Sequence, residues 1–322
     1  MKPSPMSLRA PSREFPKGWY CVADSKEVKV EKLLPVSWLG RDYVVFRDTQ
    51  GLAKVADAYC PHLGAHLASH DGCIKEGRVI CPFHHWGFDT STGKCTDIPY
   101  AKVIPPVSLT FYEVREVNEQ IVIWYHPEGL APDREPYQSD LLKEREWVLF
   151  DSRSWTSSAP FCDILENLFD TAHILMLHHA HETPKLGNIE ELDYGLKVDY
   201  IMDPDKSDQP MKSLTCHISG ITLLVQHYEF VGTEALFVFS FTPIDHEYFV
   251  QRTHLYLLNN VSPEVMENIG KEFVDRFVME VDQDMEVLNF KKHLTKPRLC
   301  DGDGPILRFR RYSNQFLEKE GV

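Results

Sequence analysis

Two short segments constrain this chain more than anything else in it: Cys60-Pro61-His62 and Cys81-Pro82-Phe83-His84. Each places one thiolate and one imidazole on a single loop tip, with Gly64 and Gly87 close by to allow tight turns. Two sulfur and two nitrogen donors in mixed pairs are the ligand set of a [2Fe–2S] cluster in which two histidines replace two cysteines on one iron, which raises its potential. A structural zinc site is the competing reading, but zinc motifs usually pair Cys with Cys and His with His along the chain. A one-electron centre needs an acceptor downstream, so a second site is expected. His66, His70 and His85 lie nearby and read as surface or supporting histidines. Cys73 and Cys95 flank the segment, but neither is followed by a His at ligand-loop spacing.

The 322 residues suffice for two domains. A net charge of −14 argues against nucleic acid and against an anionic membrane surface. Charges or histidines interrupt the longest apolar stretches, so no transmembrane segment is expected. Residues 1–17 are polar, hold four prolines and lack the apolar core of a signal peptide, so they read as a loose arm. Cys21, Cys73, Cys95, Cys162, Cys216 and Cys300 are widely spaced and read as free thiols, mostly buried, of a cytoplasmic protein.

The fold class expected is α+β. Residues 18–126 carry short alternating or β-branched runs punctuated by Gly and Asp, an all-β module. Residues 127–145, with Pro127, Pro132 and Pro136, read as a linker. Residues 146–322 follow as a second domain of helix and antiparallel sheet: a helical stretch near 162–181, strands from about 195 to 260, then a long helix. Ser262 as N-cap and Pro263 at the first helical position open that helix, and Val265, Ile269, Phe273, Phe277, Val281 and Leu288 form its apolar stripe.

The helical stretch carries Asn167, Asp170, His173 and His178. His173 and His178 lie about 140° apart on an ideal helix of 3.6 residues per turn, so they share one metal only if the helix distorts or ends there. Two imidazoles and one carboxylate leave coordination positions open, the facial triad of non-haem Fe(II) oxygenases. His179 and His181 compete as ligands with less favourable spacing. For the carboxylate, Asp284 falls inside the apolar stripe of the long helix, where an acid is costly unless paired or bound to metal, while Asp282 on the polar side is the runner-up.

With both sites in view, the chain resembles the Rieske non-haem iron oxygenases, specifically those acting on 3-ketosteroids and cholesterol. The resemblance rests on the run from Cys60 to Phe88, on Glu166-Asn167-x-x-Asp170-x-x-His173, on Gln283-Asp284, and on the tail from Pro297 to Arg311. It implies a Rieske [2Fe–2S] cluster on Cys60, His62, Cys81 and His84, a mononuclear Fe(II) on His173, His178 and Asp284, and Asn167 and Asp170 as catalytic positions. It also implies a homotrimer in which Asp170 bridges His84 of one chain to His173 of the next, although Asp170 could equally serve only to orient a ligand. The partners implied are O2, a small hydrophobic substrate and an NAD(P)H-dependent flavin/iron–sulfur reductase, with or without a ferredoxin. The chain has no Gly-rich dinucleotide motif after a strand to bind the nucleotide itself. The reaction implied is hydroxylation or desaturation of a steroid-like substrate. Action on an aromatic acid, N- or O-demethylation, and plain electron transfer with an inert second site are the alternatives. Two departures stand out: His85 replaces the family's usual Gly, and Leu288 stands where the steroid hydroxylases carry Trp.

Overall fold

A computed structural model describes residues 4–10, 14–180, 184–201 and 211–317. The short β-rich runs become β1 (Gly18–Asp24), β2 (Leu34–Trp38), β3 (Arg41–Arg47), β4 (Ala53–Asp57), β5 (Cys73–Lys75), β6 (Arg78–Ile80), β7 (Gly87–Asp89), β8 (Cys95–Asp97), β9 (Val114–Val117) and β10 (Gln120–Tyr125). They form three sheets, ordered β1-β10-β9, β2-β3-β4 and β5-β6-β7-β8. Val44, Phe46, Leu67, Val79 and Phe88 pack into one apolar core that also takes in Cys60 and Cys81. The two thiols therefore sit at the edge of a dry interior. This unit spans Trp19–Pro132.

The second unit holds α1 (Leu141–Glu144), β11 (Trp147–Ser157), α2 (Thr171–Met176), β12 (Lys185–Leu192), β13 (Gly195–Ile201), β14 (Met211–Ser219), β15 (Leu223–Phe230), β16 (Glu234–Pro243), β17 (Phe249–Leu258), α3 (Pro263–Leu288) and α4 (Ile306–Ser313). Its strands make one antiparallel seven-stranded sheet, β11-β17-β16-β15-β14-β13-β12. Ser262 caps α3 by accepting from the Val265 N–H, and Pro263 follows it. The helix lies on the sheet through Phe273 and Phe277, which meet Tyr228, Phe230, Phe237 and Phe239. At Gly270 the approach is so close that a Cβ would fall 2.3 Å from the Phe150 ring. Val265 points to solvent; the inward face starts one residue later, at Met266, and runs through Val274, Val281, Met285 and Leu288.

Several expectations change. The helical stretch near 162–181 is broken into two 3₁₀ turns, Phe161–Asp163 and Leu165–Leu168, before α2. The break is at Asp170, whose backbone (φ −89°, ψ 77°) is not helical. The arm is anchored where it is described. Met6 is buried, and the Arg9 guanidinium donates to the carbonyls of Ser158 (2.6 Å) and Lys291 (2.9 Å). The supposed linker also packs: Tyr137 stacks on His217 at 4.0 Å, and Leu141 and Leu142 cover Val225 and Val238. All eight cysteines are free. Among the described residues no helix is long and apolar enough to cross a membrane.

Candidate metal centres

The first centre is made by two loops that repeat one design. Residues 60–65 are closed by Cys60 N–H donating to Ala65 O (2.8 Å) and Gly64 N–H donating to Cys60 O (2.9 Å). Residues 81–86 are closed by Cys81 N–H to Trp86 O (2.9 Å) and His85 N–H to Cys81 O (3.0 Å), and they join the paired strands β6 and β7. The fifth residue of each loop must turn left-handed: φ is +75° at Gly64 and +57° at His85. The departure at His85 therefore falls where a side chain costs about 1–2 kcal/mol. Gly87, expected to make this turn, instead lies in β7, where a Cβ would press on Arg78, Asp97 and Ile80.

The donors converge. The imidazoles of His62 and His84 lie 4.8 Å apart, and His62 stacks face to face on Trp86 at 4.3 Å. The Trp86 Nε1–H donates to the Tyr100 hydroxyl at 2.8 Å. Burial, with the neighbouring Cys81 thiol adding to it, pushes the Cys60 thiol up to about 12, although the His62 N–H opposes this. His84 Nδ1 is buried with no hydrogen-bond partner among the described residues. A Cys60 thiol that resists ionising alone and an orphaned imidazole nitrogen fit a bound cationic cluster, which would take up both. Cys95 is not part of the group: its Sγ–H donates to the Asp97 carbonyl. His66 accepts from the Ala68 N–H, and His70 pairs with Asp71 at the surface.

The second centre depends on how α2 ends. After Met176 the backbone loosens, with Leu177 N–H and His178 N–H both directed at His173 O, and His179 turns left-handed. This brings His178 round to His173, their rings 5.0 Å apart. From α3, Asp284 Oδ1 stands 3.3 Å from His178 Nε2 and 3.9 Å from His173 Nε2. Each ring is oriented from its other side. His173 Nδ1 bonds the main-chain carbonyl of Asp170, and His178 Nδ1 bonds Gln283 Oε1 at 2.9 Å. Carbonyl oxygens only accept, so each Nδ1 carries a proton, and both Nε2 atoms are turned toward Asp284. Asn167 Nδ2 donates to the other Asp284 oxygen at 2.9 Å, leaving Oδ1 facing the imidazoles. Burial alone would lower the His178 pKa; the hydrogen bonds its protonated ring donates to Asp284 and to Gln283 Oε1 outweigh this and hold the imidazole above its ordinary value. A cation among these three groups would satisfy all of them.

The remaining candidates separate cleanly. Asp282 is exposed and accepts from Trp155 Nε1, Glu280 pairs with Arg276, and His179 is exposed. His181 lies outside the described residues. The Asp170 carboxylate makes no hydrogen bond or ion pair among the described residues; its backbone, not its side chain, orients His173. Gln283 was not singled out as a ring partner, although its place beside Asp284 was the available signal. Two other groups of potential ligands are already occupied by cations: Lys291 on Asp163, and Arg145 on Glu234.

The Rieske [2Fe-2S] domain family matches residues 18–125, and the 3-ketosteroid 9alpha-hydroxylase C-terminal domain family matches residues 123–317. The chain belongs to the Rieske oxygenases. Among curated relatives, this Rieske oxygenase is 30% identical to a 3-ketosteroid-9-alpha-monooxygenase oxygenase component of Rhodococcus rhodochrous, over 94% of this chain and 82% of that one. It is 28% identical to the cholesterol 7-desaturase nvd of Xenopus laevis, over 94% and 72% of the two chains. The fold is shared with NdmA of Pseudomonas putida CBB5, solved with caffeine, at a TM-score of 0.74 and 14% identity over 94% and 97% of the chains. The cofactors of this Rieske oxygenase are a Rieske [2Fe–2S] cluster and a mononuclear non-haem iron.

Proposed function

We propose that this Rieske oxygenase is the terminal component of a multicomponent monooxygenase that hydroxylates or desaturates a steroid- or sterol-like substrate. The observation that carries this is the convergence of two imidazole Nε2 atoms and one carboxylate oxygen at the meeting of α2 and α3. Such a set leaves positions open for oxygen beside a substrate. In this reading Cys60, His62, Cys81 and His84 hold the cluster, and His173, His178 and Asp284 hold the iron. When bound, the cluster supplies single electrons and the iron supplies oxygen activation.

The chain's own residues do the rest. Asn167 keeps one Asp284 oxygen occupied so that the other faces the imidazoles, and Gln283 and the Asp170 carbonyl hold the ring protons away from the metal side. Phe273 and Phe277, packed on Tyr228, Phe230 and Phe237, hold α3 against the sheet and so fix where Asp284 stands. The free Asp170 carboxylate is suited to linking a cluster imidazole of one chain to His173 of the next in a homotrimer. Electrons reach it from NAD(P)H through a separate flavin and iron–sulfur reductase, in the cytoplasm. The steroid assignment is supported by the substrates named for the relatives.

The test is mass spectrometry of products from iron-replete protein with a surrogate reductase and NADH, offered one 3-ketosteroid and one 3β-hydroxysterol. A gain of one oxygen or a loss of two hydrogens is expected. No product while the cluster still cycles would remove the steroid reading. A cluster brings two irons and the second site one, so about two irons per chain instead of three would leave only an electron carrier.

A further inference from the structure

Beneath the iron site lies a group of charges that the reaction does not use. Asp163 and Glu166, on the two 3₁₀ turns before α2, are both buried. Three basic side chains answer them. His293 Nδ1 lies 2.5 Å from Asp163 Oδ1. Lys291 Nζ lies 3.2 Å from Asp163 and 3.3 Å from Glu166. Arg310, on α4, grips Glu166 with two nitrogens, at 2.5 and 3.0 Å. Two carboxylates thus face two permanent cations and the His293 imidazole. Despite burial, Asp163 is held below the usual carboxylate range by His293 and Lys291, and Lys291 is held above its own by the two acids.

The location matters more than the charge count. The imidazoles come from the segment just after Glu166, and the carboxylate comes from α3, two turns before Lys291. Asn167, next to Glu166, bonds Asp284 directly. The tail presses on the same place: a Cβ at Gly304 would lie 1.9 Å from Phe169 O and 3.3 Å from Thr171 N, on either side of Asp170. The ionic group thus ties together the two segments that bring His173, His178 and Asp284 to one place, and Arg310 adds α4 to them.

We propose that Glu166, clasped by Arg310 and Lys291, is a positioning residue for the mononuclear iron: it fixes the separation between the His173/His178 segment and Asp284. The proposal rests on those three residues being the ligands. A clasp that served stability alone would behave otherwise, because buried ion pairs are often replaceable without loss once both charges are removed or matched.

The experiment measures Fe(II) affinity of the mononuclear site, and the EPR spectrum of its nitric oxide adduct, in full-length protein with the [2Fe–2S] absorption as an internal control. Wild type and Asp284→Ala come first: if Asp284→Ala binds Fe(II) as wild type does, the ligand assignment fails and the clasp proposal falls with it. With that assignment standing, Glu166→Gln should weaken Fe(II) binding by about 10- to 100-fold and alter the adduct spectrum while the cluster absorption stays. Arg310→Lys keeps the charge and loses only the two-pronged grip, so it remains testable if Glu166→Gln does not fold. It should weaken Fe(II) binding several-fold. Unchanged affinity and an unchanged adduct spectrum in Arg310→Lys would overturn the proposal, whatever happens to the melting temperature.

Discussion

The candidate cluster ligands and the candidate iron ligands are assembled from very different amounts of chain. The cluster loops are two copies of a six-residue turn with the same pair of backbone hydrogen bonds, each presenting one Cys and one His. The iron site needs a helix that stops early, a second helix resting on a seven-stranded sheet, and polar contacts between them. The first is a local structure set at the edge of a small core. The second exists only when the whole unit has folded. A local site tolerates change elsewhere in its unit, whereas a site built across segments inherits every shift in how they pack.

The sharpest way to break this contrast is to remove one ligand from each centre. His173→Ala should abolish turnover and leave the [2Fe–2S] visible spectrum intact, while Cys81→Ala should lose that spectrum and keep mononuclear Fe(II) binding. Loss of the spectrum in His173→Ala would mean that the two centres are not independent. Next in size, Asp170→Asn should retain both metals, because the backbone carbonyl that holds His173 is unchanged. Turnover should fall by about 100-fold, the upper end for a group adjoining a metal ligand. Normal turnover in that variant, followed by NADH-coupled product formation, would remove Asp170 from the electron route.

A smaller effect is expected from Gln283→Leu, which takes away the oxygen that holds the His178 ring proton. Fe(II) affinity should drop by about 10-fold, measured by titration, with the cluster unaffected. The smallest is a gain. His85→Gly relieves about 1–2 kcal/mol of left-handed strain and gives back up to about 1 kcal/mol in chain entropy. The N-terminal unit should therefore melt a few degrees higher, followed by bleaching of the cluster. A lower melting point would show that the His85 side chain contributes something its conformation does not reveal.

The same contrast explains what could be read from the residues alone. Cys60, His62, Cys81 and His84 declare themselves by spacing because their geometry is local. Asp284 could be singled out because an acid within an apolar stripe is conspicuous, even though the stripe's true inward face begins at Met266 and not Val265. Missed were β11 and β12, and these are the two edge strands of the large sheet. An edge strand has solvent along one side, so it needs no continuous apolar run and looks like a polar loop. The break at Asp170 also escaped notice, because Gly304, which packs on the backbone to either side of it, arrives from far along the chain. The anchored arm was hidden for a similar reason: Arg9 binds main-chain carbonyls, which carry no side-chain signature.

His173 takes its orientation from the main chain of residue 170. Every amino acid has that carbonyl, so any residue able to keep the local backbone can hold the imidazole. The side chain at position 170 is thereby released from mechanical duty. Substitution there can therefore test the proposed electron route without first removing the carbonyl that holds His173.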